Sequence, residues 1–176
     1  MRNWERNDGF SLLEILMIVG ILATFLSLVV LSYQNSQRAR KEEALKQRLA
    51  EIREAIDKYY LDHGHFPCSS SDFNRQGDPE LFRQQLLWYT DRQGKPSRTR
   101  NRDFRYGPYL SNIPEEPFTG TAQVVIDTVH SYTLVELKKF VAEWPGATGG
   151  WYYQASTGFV VANLNSKRFG KHYAYY

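Results

Sequence analysis

The chain has 176 residues, of which 42% are hydrophobic and 23% charged, and its formal net charge is +3. That length suits one globular domain with an appendage, and so small a charge excess does not by itself argue for a nucleic-acid partner. A single cysteine, Cys68, excludes an intrachain disulfide.

The apolar residues are unevenly placed. A polar stretch, MRNWERNDG, ends at Gly9 and is followed by FSLLEILMIVGILATFLSLVVLSY. From Ile15 to Leu31 no residue is charged, and Glu14 stands alone just before that run. At ~1.5 Å per residue, Phe10 to Tyr33 is long enough to cross a hydrocarbon core of ~30 Å. A secretory signal would place a small-residue cleavage site after the apolar run. Ser32, Tyr33, Gln34 and Asn35 provide none there.

GFSLLEILMIVGILA resembles the prepilin signal shared by type IV pilins and type II secretion pseudopilins. The resemblance implies cleavage by a prepilin peptidase between Gly9 and Phe10 and N-methylation of Phe10. It also implies an assembly salt bridge between Glu14, fifth in the mature chain, and the Phe10 amine of a neighbouring subunit. A carboxylate in hydrocarbon costs roughly 2.5–3.5 kcal/mol, so Glu14 needs a partner or must snorkel to the headgroups. The residues alone leave those alternatives even, and the motif favours pairing. The sequence departs from the family at three points. Glu5 and Asp8 offset Arg2 and Arg6, while Arg38, Arg40 and Lys41 flank the other end, so charge counting does not give an orientation. Leu31 stands where many members carry proline. Asp8 beside the cleavage site is unusual.

Beyond the apolar run, Leu45, Leu49, Ile52, Ile56 and Tyr59 or Tyr60 recur at spacings of three and four, predicting an amphipathic continuation of the same helix. Glu42–Lys46 and Glu54–Lys58 are spaced to support it. Gly64 and Pro67 end the pattern, and Asp62, Gly64, Phe66 and Pro67 resemble the family's helix exit. His63, His65 and Cys68 are close enough to consider a metal site or a nucleophile–base pair. A surface turn with two solvated histidines is the favoured reading, since a fourth ligand or an orienting group is missing.

Asp78–Pro79–Glu80 predicts a helix start, with Leu81, Phe82, Leu86 and Leu87 buried and an end near Tyr89. The loop from Asp91 to Arg105 carries Arg92, Lys95, Arg98, Arg100, Arg102 and Arg105 beside Phe104 and Tyr106. Basic and aromatic residues together are a candidate nucleic-acid contact, but Gly94, Pro96 and Ser97 favour a flexible solvated loop. Tyr109-Leu110, Ile113-Pro114 and Pro117-Phe118-Thr119-Gly120 resemble the connector of the major, G-type pseudopilins. Val124 to Ile126 reads as a short strand. Tyr132 to Val141 fits either a strand or a helix. Gly149 to Gln154 and Phe159 to Asn163 flank a turn at Gly158 and predict a hairpin, which resembles the family's "GGWYY…TG…AN" pattern. The tail from Leu164 to Tyr176 shows no clear element.

The expected fold class is α+β: a long N-terminal helix, transmembrane in its first half, packed on a small C-terminal antiparallel sheet in a pilin-like fold. The expected divisions are a cleaved leader at 1–9, a transmembrane assembly helix at 10–33, its amphipathic continuation at 34–63 and a periplasmic head at 64–176. The resemblance implies a non-enzymatic subunit of a type II secretion pseudopilus. Its partners would be other copies in a helical filament, other pseudopilins, the prepilin peptidase, an inner-membrane assembly platform and the lipid bilayer. The alternatives are a type IV pilus or competence pilin, and a membrane-anchored periplasmic enzyme. Major pseudopilins bind calcium in an acidic loop near the C-terminus. Here no aspartate or glutamate follows Glu143, so no cofactor is expected. Glu115, Glu116 and Asp127 are the remaining carboxylates that calcium would suit, with solvated surface charge as their equal alternative.

Overall fold

The computed structural model describes residues 11–69, 77–170 and 172–176. The leader, Gly9 and Phe10 lie outside the described residues. The chain divides into two compact units between Arg40 and Lys41. Helix α1, Leu12–His63, contributes to both.

In the first unit α1 carries a continuous apolar surface. Among the described residues of this unit, the side-chain hydrogen bonds stay on the helix itself. Thr24 Oγ1 donates to the Ile21 carbonyl at 2.7 Å and Ser27 Oγ to the Ala23 carbonyl at 2.8 Å. Both hydroxyls are thereby satisfied without water, as an apolar surrounding requires.

In the second unit the apolar stripe of α1 becomes core. Leu45, Leu49, Ile52, Ile56 and Tyr59 are all buried, and Ala55 joins them at the helical spacing. Each large aliphatic side chain so buried contributes about 1.5–3 kcal/mol. Of the two tyrosines that fit the stripe, Tyr59 is the buried one, and Tyr60 stacks on Phe66 with ring centroids 4.5 Å apart. Glu54 pairs with Lys58 at 2.7 Å. Lys46 faces Glu43 instead of Glu42, whose carboxylate accepts from the Tyr176 hydroxyl.

Helix α2, Pro79–Leu87, starts as its sequence predicts: the Asp78 carboxylate accepts from the Glu80 amide at 2.8 Å and Pro79 occupies the first turn. Strands β1, Tyr89–Thr90, and β2, Pro96–Ser97, form a short antiparallel pair. Strand β3, Val124–Asp127, is followed by helix α3, Leu134–Glu143, and then by strands β4, Thr148–Gln154, and β5, Val160–Leu164. The ambiguous stretch after Tyr132 is helical because Thr133 and Glu136 form a reciprocal capping box at its start.

The main sheet has the order β3-β4-β5. The hairpin β4–β5 is antiparallel as expected, with Trp151 opposite Ala162. Strand β3 runs parallel to β4, with Val124 opposite Trp151, so the sheet is mixed. The reason is α3: a helical crossover returns the chain in the same direction, which a tight turn cannot do. Helix α3 also explains why β4 and β5 are buried along almost their whole length. Trp151 and Tyr153 enter the core with α1 and α2, while Tyr152 and Val161 pack with Leu137 and Val141 of α3. Successive strand residues thus face two different apolar layers. Gly150, at φ +74°, sits where a Cβ would strike the Gln123 carbonyl just before β3.

The connector and the tail also belong to the core. The Trp151 indole donates to the Pro114 carbonyl at 2.7 Å, and the Tyr153 hydroxyl to the Pro67 carbonyl at 2.9 Å. The tail forms helix α4, Ser166–Phe169, and a 3-10 turn, Tyr173–Tyr175. Tyr173 is fully buried against Phe118, and Arg53 donates to the main-chain oxygens of Val160 and Tyr176.

Candidate functional site

The first candidate is the apolar half of α1. Every large apolar side chain from Leu12 to Tyr33 is exposed, from 45% at Ile18 to 86% at Leu12. The helix is long and apolar enough to cross a membrane once, and its most apolar stretch is not buried. Helices that are apolar on all faces are covered by lipid or by other helices. Glu14 lies in the first turn, exposed, and its amide donates to the Ser11 carbonyl. A carboxylate is favoured there by the helix dipole, and no lysine or arginine follows it on the helix before Arg38.

The second candidate is the basic loop. Its turns are closed by its own side chains. The Asp91 carboxylate accepts from the amides of Gln93 and Lys95 at 3.0 and 2.9 Å. Asn101 likewise accepts from the amides of Asp103 and Phe104, and Thr90 bridges to Tyr106. Gly94, at φ +82°, is packed on the buried Tyr59 hydroxyl, where no side chain would fit. Arg98 stacks over Trp88 at 4.7 Å, Arg100 over Tyr89 at 5.9 Å and Arg105 over Tyr106 at 5.2 Å. Arg92, Lys95 and Arg102 are exposed on the same loop.

At the end of α1 the His63 and His65 rings lie 5.9 Å apart, both against Tyr59, while Cys68 makes its hydrogen bond elsewhere. His63 Nε2 lies 3.0 Å from Thr90 Oγ1 and 3.1 Å from the Tyr109 hydroxyl, and Nδ1 lies 3.4 Å from the Arg92 carbonyl. A carbonyl only accepts, so the fitting neutral tautomer carries its proton on Nδ1 and takes a hydrogen bond from Thr90 at Nε2. The Tyr109 hydroxyl donates to Asp62 at 2.8 Å. Burial pulls the His63 imidazole below its ordinary value, against the opposing pull of the Arg92 carbonyl. His63 is thus a half-buried clamp between α1 and the loop after β1, not a solvated turn residue. His65 Nδ1 faces the Phe66 carbonyl and Cys68 Sγ the Asp78 carbonyl. Among the described residues no three histidine, cysteine or carboxylate side chains gather as metal ligands.

Two of the three carboxylates considered for calcium are neither solvated nor free. Glu116 is fully buried, and it accepts from the amides of Phe118 and Thr119 and from the Thr119 hydroxyl. Asp127 is buried and accepts from the amides of Val129 and His130, from His130 Nδ1 at 2.9 Å and from the Tyr152 hydroxyl at 3.0 Å. Burial alone would raise the Asp127 carboxyl, but these bonds outweigh it and hold the group below the usual carboxylate range. The same bond and burial push the Tyr152 hydroxyl up. Glu115 is exposed, and its carbonyl accepts from Arg48. The sequence offered a signal for Glu116: an acid followed by Pro-Phe-Thr-Gly is suited to cap its own turn.

The long apolar helix joined to a small mixed sheet makes this a pilin-like α+β protein. Within that class its similarity lies with the major, G-type pseudopilins of type II secretion, and it extends over most of the chain. The type II secretion system core protein G of Vibrio cholerae is 27% identical over 160 residues, covering 88% of this chain and 98% of the relative. That of Aeromonas hydrophila is 28% identical over 123 residues, 69% of this chain and 74% of the relative. That of Escherichia coli K12 is 35% identical over 71 residues, 40% of this chain and 48% of the relative. No family model matches the chain, and no solved structure matches it.

Proposed function

We propose that this chain is a structural subunit of a type II secretion pseudopilus, assembled through the apolar half of α1. The observation that carries the reading is a membrane-length helix exposed on all faces, on a chain similar to core protein G along 88% of its length. In this reading the prepilin peptidase cuts between Gly9 and Phe10 and methylates the Phe10 amine. The helix first anchors the subunit in the inner membrane with the head in the periplasm. It then packs against sister helices and other pseudopilins as the assembly platform extracts it. Glu14 pairs with the Phe10 amine of a neighbour, which removes most of the cost of a lone carboxylate in hydrocarbon, about 2.5–3.5 kcal/mol. No side chain performs covalent chemistry; Gly9 and Phe10 are substrate positions for another enzyme.

Mass spectrometry of the chain from native membranes tests the processing step. The expected N-terminus is N-methylated Phe10, and a chain starting at Met1 or beyond Leu31 would overturn it. Glu14→Ala tests the pairing: membrane insertion should persist while filament yield falls, and undiminished filaments would refute the salt bridge.

A further inference from the structure

The strongest unassigned feature is the ridge of cations after β1. Arg92, Lys95, Arg98, Arg100, Arg102 and Arg105 are all exposed, and the only acids within the segment are Asp91 and Asp103. The Asp91 carboxylate is already occupied by two backbone amides. Among the described residues no ion pair involves any of the six cations. A chain whose net charge is only +3 therefore concentrates unneutralised positive charge on one ordered loop.

The aromatic neighbours matter as much as the charges. Trp88, Tyr89 and Tyr106 each have an arginine over the ring, with the guanidinium carbon of Arg98, Arg100 and Arg105 at 4.7, 5.9 and 5.2 Å from the centroid. Such contacts restrain long side chains whose ordering otherwise opposes binding. Each of these rings thus already has an arginine as a neighbour. What the ridge presents is guanidinium groups, whose planar donor pairs match carboxylates two at a time.

We propose that this ridge is a docking surface for a carboxylate-rich segment of another protein. The proposal rests on the secretion reading in one respect: a head facing the periplasm meets proteins, not nucleic acid. Steering by the exposed charges makes the encounter fast and salt-dependent. Loop order and arginine pre-organisation confine the contact to Arg98, Arg100 and Arg105, with Arg92, Lys95 and Arg102 contributing long-range attraction.

The test uses the full chain in detergent micelles and a fluorescent oligoglutamate peptide, followed by anisotropy. Binding is expected at low salt, weakening at least about tenfold at physiological salt and above. Joint Arg98→Gln, Arg100→Gln and Arg105→Gln should weaken it by about tenfold or more, with the thermal midpoint of the head measured alongside. Joint replacement of the same three by lysine keeps the charge, and should still lose part of the affinity. Should the glutamine variant fail to fold, the lysine variant decides. Three outcomes overturn the proposal: no peptide binding by the native chain, full binding by the lysine variant, or tighter binding of an oligonucleotide of equal charge. Self-association that the glutamine variant abolishes, without peptide binding, would assign the ridge to a second copy and equally overturn it. None of these results depends on the Phe10 N-terminus, so failure here is separable from failure of the pseudopilus reading.

Discussion

Helix α1 contains two segments of opposite logic. From Leu12 to Tyr33 its apolar side chains are exposed on every face, whereas from Leu45 to Tyr59 only one stripe is apolar and that stripe is buried. Among the described residues the first segment is exposed, and the second shares a core with the head's own sheet. The lesson is that apolar content alone does not mark a core. An all-round pattern needs a partner outside the chain, and a stripe needs only one neighbouring layer.

The sharpest break of that comparison comes from equivalent truncations in the two segments. Leu49→Ala should lower the stability of the head by about 2–5 kcal/mol, because it leaves a cavity in a closed core. Leu22→Ala should leave that stability unchanged, since its side chain is exposed. Urea or thermal midpoints of the full chain in detergent report both, and equal midpoints for the two variants would abolish the distinction.

A smaller effect is expected at Glu116, the buried carboxylate of the connector. Glu116→Gln puts an amide donor where the Phe118 and Thr119 donors need acceptors, at a cost of about 1–3 kcal/mol. The same measurement reads it, and an unchanged midpoint would mean that water replaces the lost acceptor. The smallest effect is a pH dependence at His63. Its folded-state pKa is lowered by burial, so the unfolded chain binds the proton more readily. The stability it contributes is complete above the unfolded value of about 6.5 and declines as pH falls below it toward the lowered one. His63→Gln should remove that decline from a stability profile of the head, and an identical slope in both proteins would assign it elsewhere.

Much of this was legible in the residues. The stripe Leu45, Leu49, Ile52, Ile56 named its own buried face because helical periodicity survives in sequence. Asp78–Pro79–Glu80 named a helix start because capping is a local event. The hairpin around Gly158 was legible for the same reason. Of the candidate sites, the apolar run and Glu14 stood out as sequence, while the cleavage position at Gly9–Phe10 is carried by motif alone. The parallel pairing of β3 with β4 was not legible, because it depends on α3 returning the chain between segments far apart in sequence. Nor were the stacked arginines: Trp88 and Arg98 meet only once β1 and β2 pair.

The amino-acid sequence by itself determined that a lipid-length helix precedes a compact head, since an unbroken uncharged run dictates its own solvent. Tertiary structure alone decided that Glu116 and Asp127 are buried hydrogen-bond acceptors and not surface charges. It also decided that Arg98, beyond β2, lies over the Trp88 ring before β1. Burial and juxtaposition are set by chain segments meeting in space, and short-range pattern carries no record of that.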